Sequence, residues 1–442
     1  MLKKSLKGKA WIIAADMGYG HQRAAYPLKD IAYERIINAN SDKSISPWEQ
    51  RVWRRARGLY EWVSRTNAVP IFGKLLFNLY DQLQKIEPYY PLMNNEKPTL
   101  QVNYLDRMIR RGLGQGLYDY TSKVNIPVIT TFYIPAISAD YYGAKNVYCI
   151  ITDTDLNRIW VPKELEKSRI TYFAPTQHAY NRLISYGVSS DNIILTGFPL
   201  PKENIGGRQE RIIKKVMAER IARLDPKKNF MKNYGEVVEK QLKKKVAARK
   251  GPVTIMYVVG GAGAQKEVGK ALITSFKDDI RKGKIRLLLS AGTHLDINEY
   301  FIKEIKKSKL ADYSGKGIDI IFELTKKEYF EKFNKKLNET DILWTKPSEL
   351  SFYCALGLPV VVTAPLGNQE YWNTKWLLEV GAGIRQENPK YASAWISELL
   401  NRGVLARKAW EGFLYAPRMG TYNIEDILTK KSAGNKGKNK KK

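Results

Sequence analysis

Short apolar runs alternate with stretches of helical period along most of this chain, a pattern that predicts parallel α/β sheets rather than a sandwich. Residues 9–15 form the first predicted strand, Gly18-Tyr19-Gly20 a turn, and 21–38 a helix. Further strands are predicted at 126–132, 146–152, 170–174 and 192–196, with helices at 104–121 and 176–186. The rhythm breaks at 201–250, which is rich in Lys, Arg and Glu, with Gly206-Gly207 at its start and Asp225-Pro226 in its middle. This stretch reads as the interdomain connection, carrying charged helices that could be an insertion. A second series then follows: strands at 253–259, 285–290, 318–322, 341–345 and 358–363, with helices at 265–281, 296–306, 326–337, 348–356 and 369–379. The expected organisation is an N-terminal Rossmann-like domain over 1–200 and a C-terminal one over 251–422. A basic tail, 423–442, is expected to be disordered.

Composition agrees with two soluble domains: 442 residues, 44% hydrophobic and 27% charged, are too many for one ordinary core. Lys and Arg outnumber Asp and Glu by 74 to 44, a net charge of +30, which calls for an anionic partner: a membrane surface, a nucleic acid or a phosphorylated ligand. Two cysteines, Cys149 and Cys354, in apolar runs point to a reducing, cytoplasmic compartment. The basic start followed by Trp11–Ala15 imitates a signal peptide, but the run is short and Asp16 ends it. No apolar stretch reaches about 18 residues, so any membrane contact is expected to be peripheral.

Three loops carry candidate chemistry. In Ala15-Asp16-Met17-Gly18-Tyr19-Gly20-His21, Gly18 and Gly20 let the backbone approach a ligand, and Asp16 or His21 could take a proton from an acceptor hydroxyl. The plainer alternative is a strand-to-helix turn with Asp16 as a cap. The loop Val259-Gly260-Gly261-Ala262-Gly263-Ala264-Gln265 also follows a strand and opens a helix, so Gly260, Gly261, Gly263 and Gln265 are candidates for a diphosphate or its sugar. It is neither a dinucleotide fingerprint nor a P-loop. The third runs from Thr345-Lys346-Pro347-Ser348-Glu349 to Gly367-Asn368-Gln369-Glu370. Ser348 there opens a helix facing a departing diphosphate, and Gln369 and Glu370 are suited to sugar hydroxyls. Capping is the alternative for each.

Taken in order, these stretches resemble the family of monogalactosyl- and glucosyl-diacylglycerol synthases and the lipid-linked N-acetylglucosaminyltransferase of peptidoglycan synthesis. The similarity adds Ile151-Thr152-Asp153, Trp160-Val161-Pro162, Gly187-Val188, Thr196-Gly197-Phe198-Pro199, Gly357-Leu358-Pro359, Asn373 and Gly381-Ala382-Gly383. It runs from about residue 9 to 390. The resemblance implies an α/β GT-B fold, two Rossmann-like domains facing a central cleft. It also implies a uridine-diphosphate sugar as co-substrate on the C-terminal domain, an acceptor on the N-terminal one, and inversion without a required metal or other cofactor. By position, Asp16 would be the base and His21 an assisting or acceptor-site residue; Gly260 and Gly261 would lie by the diphosphate, Gln369 and Glu370 by the donor sugar. Two places depart from the pattern. Gly18-Tyr19-Gly20 replaces a Gly triplet, and Phe352 stands where the family carries a ribose-binding glutamate. Glu349, three residues earlier, shares that helix face and could substitute.

Asp153-Thr154-Asp155 imitates a metal-binding Asp-x-Asp, but its context matches a position the family does not use for metal, and none is expected. Over 47–92, Trp48, Trp53 and Trp62 interleave with Arg51, Arg54, Arg55 and Arg57, which suits an interfacial helix on anionic lipid rather than an ordinary domain helix. His178 and His294 have no evident partners in sequence and read as structural. The resulting expectation is an inverting glycosyltransferase acting on a lipid or lipid-linked acceptor at the inner membrane face. The alternatives are an epimerase or a transferase with a soluble acceptor on the same fold, and a non-catalytic basic binding protein. Nucleic acid is not expected as a partner.

Overall fold

The computed structural model describes residues 6–66, 86, 88–91, 94–247, 251–260, 263, 265–365 and 367–438. The chain forms two units: Met1–Leu200 with Gly367–Gln369 and Pro417–Lys442, and Pro201–Leu366 with Glu370–Ala416.

The first unit holds six strands, β1 (Ala10–Ala14), β2 (Ala32–Asn38), β3 (Val128–Thr130), β4 (Val147–Ile150), β5 (Thr171–Ala174) and β6 (Ile193–Leu195). They lie in the order β2-β1-β3-β4-β5-β6, every pair parallel. Strands of this kind are buried on both faces, which is why they read as continuous apolar runs. Alternation then sorts their side chains: Trp11, Ile13, Cys149 and Tyr172 enter one core, and Ile12, Ala14, Tyr148 and Phe173 the other.

The second unit holds β7 (Val253–Val258), β8 (Ile285–Gly292), β9 (Ile318–Phe322), β10 (Ile342–Thr345), β11 (Val360–Val362) and β12 (Gly383–Arg385). Their order is β9-β8-β7-β10-β11-β12, again wholly parallel. Both sheets are Rossmann-like, as the alternating pattern predicts.

Several expected elements are corrected. The helix expected over 21–38 is a short one, Gly20–Ala25, with a 3-10 turn through Pro27, followed by the edge strand β2. Pro27 cannot continue a helical ladder. The exposed Glu34-Arg35 pair, tolerable on an edge, gives β2 a false helical look. The helix expected over 104–121 is two, Leu100–Arg110 and Gln115–Thr121, parted at Gly112 and Gly114, whose φ values are +108 and +83. Helix Tyr133–Tyr141 was not anticipated.

The charged helices expected between the domains are present over 201–247 and belong to the second unit. Helix Arg211–Leu224 buries Ile213, Met217, Ile221 and Leu224 there. Arg220, also buried, donates to the carbonyls of Thr340 (3.0 Å), Leu356 (2.6 Å) and Gly357 (3.1 Å). The tail is corrected too: Gly420–Lys438 is helical, and Ile424 and Leu428 join Ile12, Ala14 and Leu28 in a core of the first unit. Their i, i+4 spacing puts both on one face, which a reading of the Lys-rich composition overlooks.

Candidate functional site

In an open parallel sheet, ligands bind beyond the carboxyl ends of the strands where strand order reverses. In the first sheet that point lies between β1 and β3. The loop after β1 carries Asp16 and His21, and the loop after β3 carries Thr131 and Phe132. Gly18 turns the chain at φ +93, a conformation that disfavours any side chain. Asn40, in the turn after β2, accepts the backbone N–H of Asp16, and Ala39 N–H bonds to Ala14 O at 2.8 Å. Two neighbouring strand ends thus fix the Asp16 loop.

His21 is seated across the reversal. Its Nδ1 lies 2.7 Å from the carbonyl of Thr131 and 3.2 Å from Thr152 Oγ1, while Thr131 Oγ1 donates to His21 O at 2.9 Å. A carbonyl only accepts, so Nδ1 carries the hydrogen and Nε2 presents a lone pair. The ring stands edge-on to Phe132 at 4.7 Å and near Trp160 at 6.2 Å. Burial lowers its pKa from 6.5 to about 4, against the pull of the Thr131 bond, so the imidazole is neutral at physiological pH. Asp16 and Gly20 are half-buried on the same loop.

In the second sheet the reversal lies between β7 and β10, and the two remaining motifs meet there. After β7, Gly263 N–H closes a turn on Gly260 O at 2.8 Å, Gln265 takes φ +70, and Tyr257 donates its hydroxyl to Gln265 O. Gly261 lies outside the described residues. After β10, Lys346 lays its stem over Gly260: a Cβ there would sit 3.0 Å from Lys346 Cδ. Its Nζ donates to Glu370 Oε1 at 2.8 Å. Ser348 Oγ accepts Leu350 N–H at 3.4 Å and so caps a 3-10 helix, Glu349–Leu356, at the place of the expected helix. Half-buried Glu349 and Phe352 are three residues apart in this helix, a spacing that puts them on one face. Phe352 is buried, its ring 5.1 Å from that of Trp376. Gln369 and Glu370, adjacent in sequence, fall to different units.

Elsewhere the structure reassigns residues. Trp53 is buried in the first unit's core, 6.0 Å from Phe132, and half-buried Trp48 packs on the same core. Arg51, Arg54 and Arg55 on helix Pro47–Thr66 are exposed. Trp62, together with most of 47–92 beyond it, lies outside what can be described of side chains. Asp155 is occupied by Arg182, whose Nε and Nη2 both donate at 2.8 Å, by His178 Nε2 at 2.9 Å and by Leu156 N–H at 2.8 Å. His178, which has no evident partner in sequence, therefore has one, and it stacks on Tyr89 at 4.0 Å. Among the described residues, no group of three or more His, Cys, Asp or Glu is placed to hold a metal, and no helix is long and apolar enough to cross a membrane.

Lys346, Asn40, Thr131 and Phe132 were not singled out by sequence. Lys346 had a usable signal, a cation directly after a strand. Asn40 had none, because its strand looks helical.

Fold and loop placement together define a two-domain α/β protein of the GT-B class. Comparison with known proteins agrees with the motifs. A family model described as "Domain of unknown function (DUF6938)" matches residues 227–424. The chain is similar to the processive diacylglycerol β-glucosyltransferase of Bacillus cytotoxicus, 23% identical over 322 residues, which cover 71% of this chain and 70% of that protein. The protein of the same name from Bacillus pumilus is 20% identical over 389 residues, 85% of this chain and 82% of its own. Among solved structures, MurG of Acinetobacter baumannii aligns over 96% of this chain and 99% of its own, at 13% identity and a TM-score of 0.45. The resemblance read from the motifs thus points to the same glucosyl-diacylglycerol synthases that the curated relatives are named for.

Proposed function

We propose that this chain is an inverting glycosyltransferase that moves a hexose from a nucleoside diphosphate, UDP by its resemblance, to a lipid hydroxyl at the cytosolic face of a membrane. One observation carries the reading: the family-like loops fall at the reversal points of both sheets, Asp16 and His21 at one, Gly260 and Lys346 at the other, where Lys346 is bonded to Glu370. The names of the curated relatives support the lipid acceptor. In this scheme Asp16 takes the proton of the acceptor hydroxyl as its oxygen bonds to the anomeric carbon, and the bond to the diphosphate breaks with its electron pair leaving on phosphate. His21, through the lone pair on Nε2, orients that hydroxyl. Gly260, Gly261, Gly263 and Gln265 line the diphosphate, Glu349 the ribose, and Gln369 and Glu370 the sugar. The +30 charge and the exposed Arg51, Arg54 and Arg55 favour an anionic lipid surface.

The test is transfer from UDP-glucose to diacylglycerol in vesicles with and without phosphatidylglycerol. Asp16→Asn is expected to lower kcat by roughly 100- to 10,000-fold with little change in KM. Full activity in Asp16→Ala would sink the assignment. A non-catalytic protein on the same scaffold is favoured by Phe352, a buried core residue at the place of the family's ribose carboxylate. Thermal stabilisation by any nucleoside diphosphate decides for the transferase, and stabilisation by none for the binding protein.

A further inference from the structure

We infer that Lys346 is the residue that binds the diphosphate of the donor, and that Gly260 is glycine because this lysine lies across it. The inference rests on the reading that the second sheet takes a nucleoside diphosphate, and it changes which residue does the work there. Lys346 is the first residue beyond β10, at the strand reversal, so it stands where ligands of such sheets bind. Its stem fills the place of a Gly260 side chain, with Cδ 3.0 Å and Cε 3.2 Å from the position of a Cβ. Gly260 is absent from the residues with positive φ, so its backbone does not require glycine. A side chain there would have to push the lysine stem aside.

Glu370 holds the other end. The pair is 2.8 Å long, with the lysine side chain 25% and the glutamate side chain 15% exposed, so the ammonium is partly withdrawn from water yet still reachable. An ammonium has three donors, and Glu370 takes one along a fixed direction. A point charge held this way suits the oxygens of a diphosphate, and it gains most as negative charge develops on the leaving group. Gly260 then acts as the floor on which the lysine stem rests.

The experiment compares binding of UDP and of uridine by calorimetry. In Lys346→Ala and in Lys346→Gln, which keeps most of the stem, UDP affinity is expected to fall roughly 10- to 100-fold. Uridine affinity should stay within about twofold, which also shows that the variant is folded. Gly260→Ala is expected to weaken UDP binding in the native chain by displacing the lysine, and to cost much less in the Lys346→Ala background. If the losses at the two positions add, or if uridine and UDP weaken equally, the assignment of Lys346 is overturned while the transferase reading stands. Should GDP, ADP or TDP bind in place of UDP, the same comparison is made with the matching nucleoside. If the native chain binds none of the four, the transferase reading falls and this inference falls with it.

Discussion

His21 shows how much a single seat in the fold decides. Its sequence neighbours allow a base, a ligand or a buried ring, but the Thr131 carbonyl selects one tautomer and burial keeps it neutral. A histidine lowered from 6.5 to about 4 binds its proton more weakly in the folded chain than in the unfolded one. Stability is therefore complete above pH 6.5, falls as pH drops through the window from 6.5 to 4, and levels off below. The slope attributable to this residue is at most about 1.4 kcal/mol per pH unit. His21→Asn should flatten the urea-unfolding stability profile in that window; a profile identical to the native one would show that the ring is not desolvated. Asp155 makes the opposite point. Its Asp-x-Asp setting suggests a cation, and a bidentate Arg182 with His178 consumes its oxygens instead.

Among the elements, helix Pro47–Thr66 is the most instructive. Ser46-Pro47-Trp48-Glu49 is a capping box: Ser46 N–H donates to Glu49 Oε2 at 2.8 Å, and Glu49 N–H to Ser46 Oγ at 3.2 Å. Glu49 also accepts Gly114 N–H at 2.6 Å, so one buried carboxylate closes the starts of two helices. Glu49→Ala is expected to cost about 1–3 kcal/mol in denaturant unfolding. A change below about 0.5 kcal/mol would mean that water replaces the carboxylate. The amphipathic stripe was legible in the sequence. What covers the stripe was not, because periodicity shows that a face is apolar without saying whether a core or a lipid meets it. Here Trp48 and Trp53 face the core.

At the scale of the molecule, the chain leaves the first unit at Leu200, builds the second, and returns at Pro417. The returning helix is held by Ile424 and Leu428 against β1 and its neighbours. Ile424→Ala should therefore loosen the first unit by about 2–5 kcal/mol. Hydrogen exchange at Ala10–Ala14 is the direct readout, and unchanged protection there would mean that the C-terminal helix is not part of that core.

The sequence by itself determined the two parallel α/β sheets, most strand positions and the loops that carry the candidate chemistry. Buried parallel strands and glycine turns leave strong local patterns, and the family-like motifs are contiguous. Only the tertiary structure decided that 32–38 is an edge strand, that helix Arg211–Leu224 packs into the second unit, that Ile424 and Leu428 join a core of the first, and that Lys346 meets both Gly260 and Glu370. Each of these depends on pairing between residues far apart in the chain. Local hydrophobic periodicity carries no record of a partner that arrives from a distant segment.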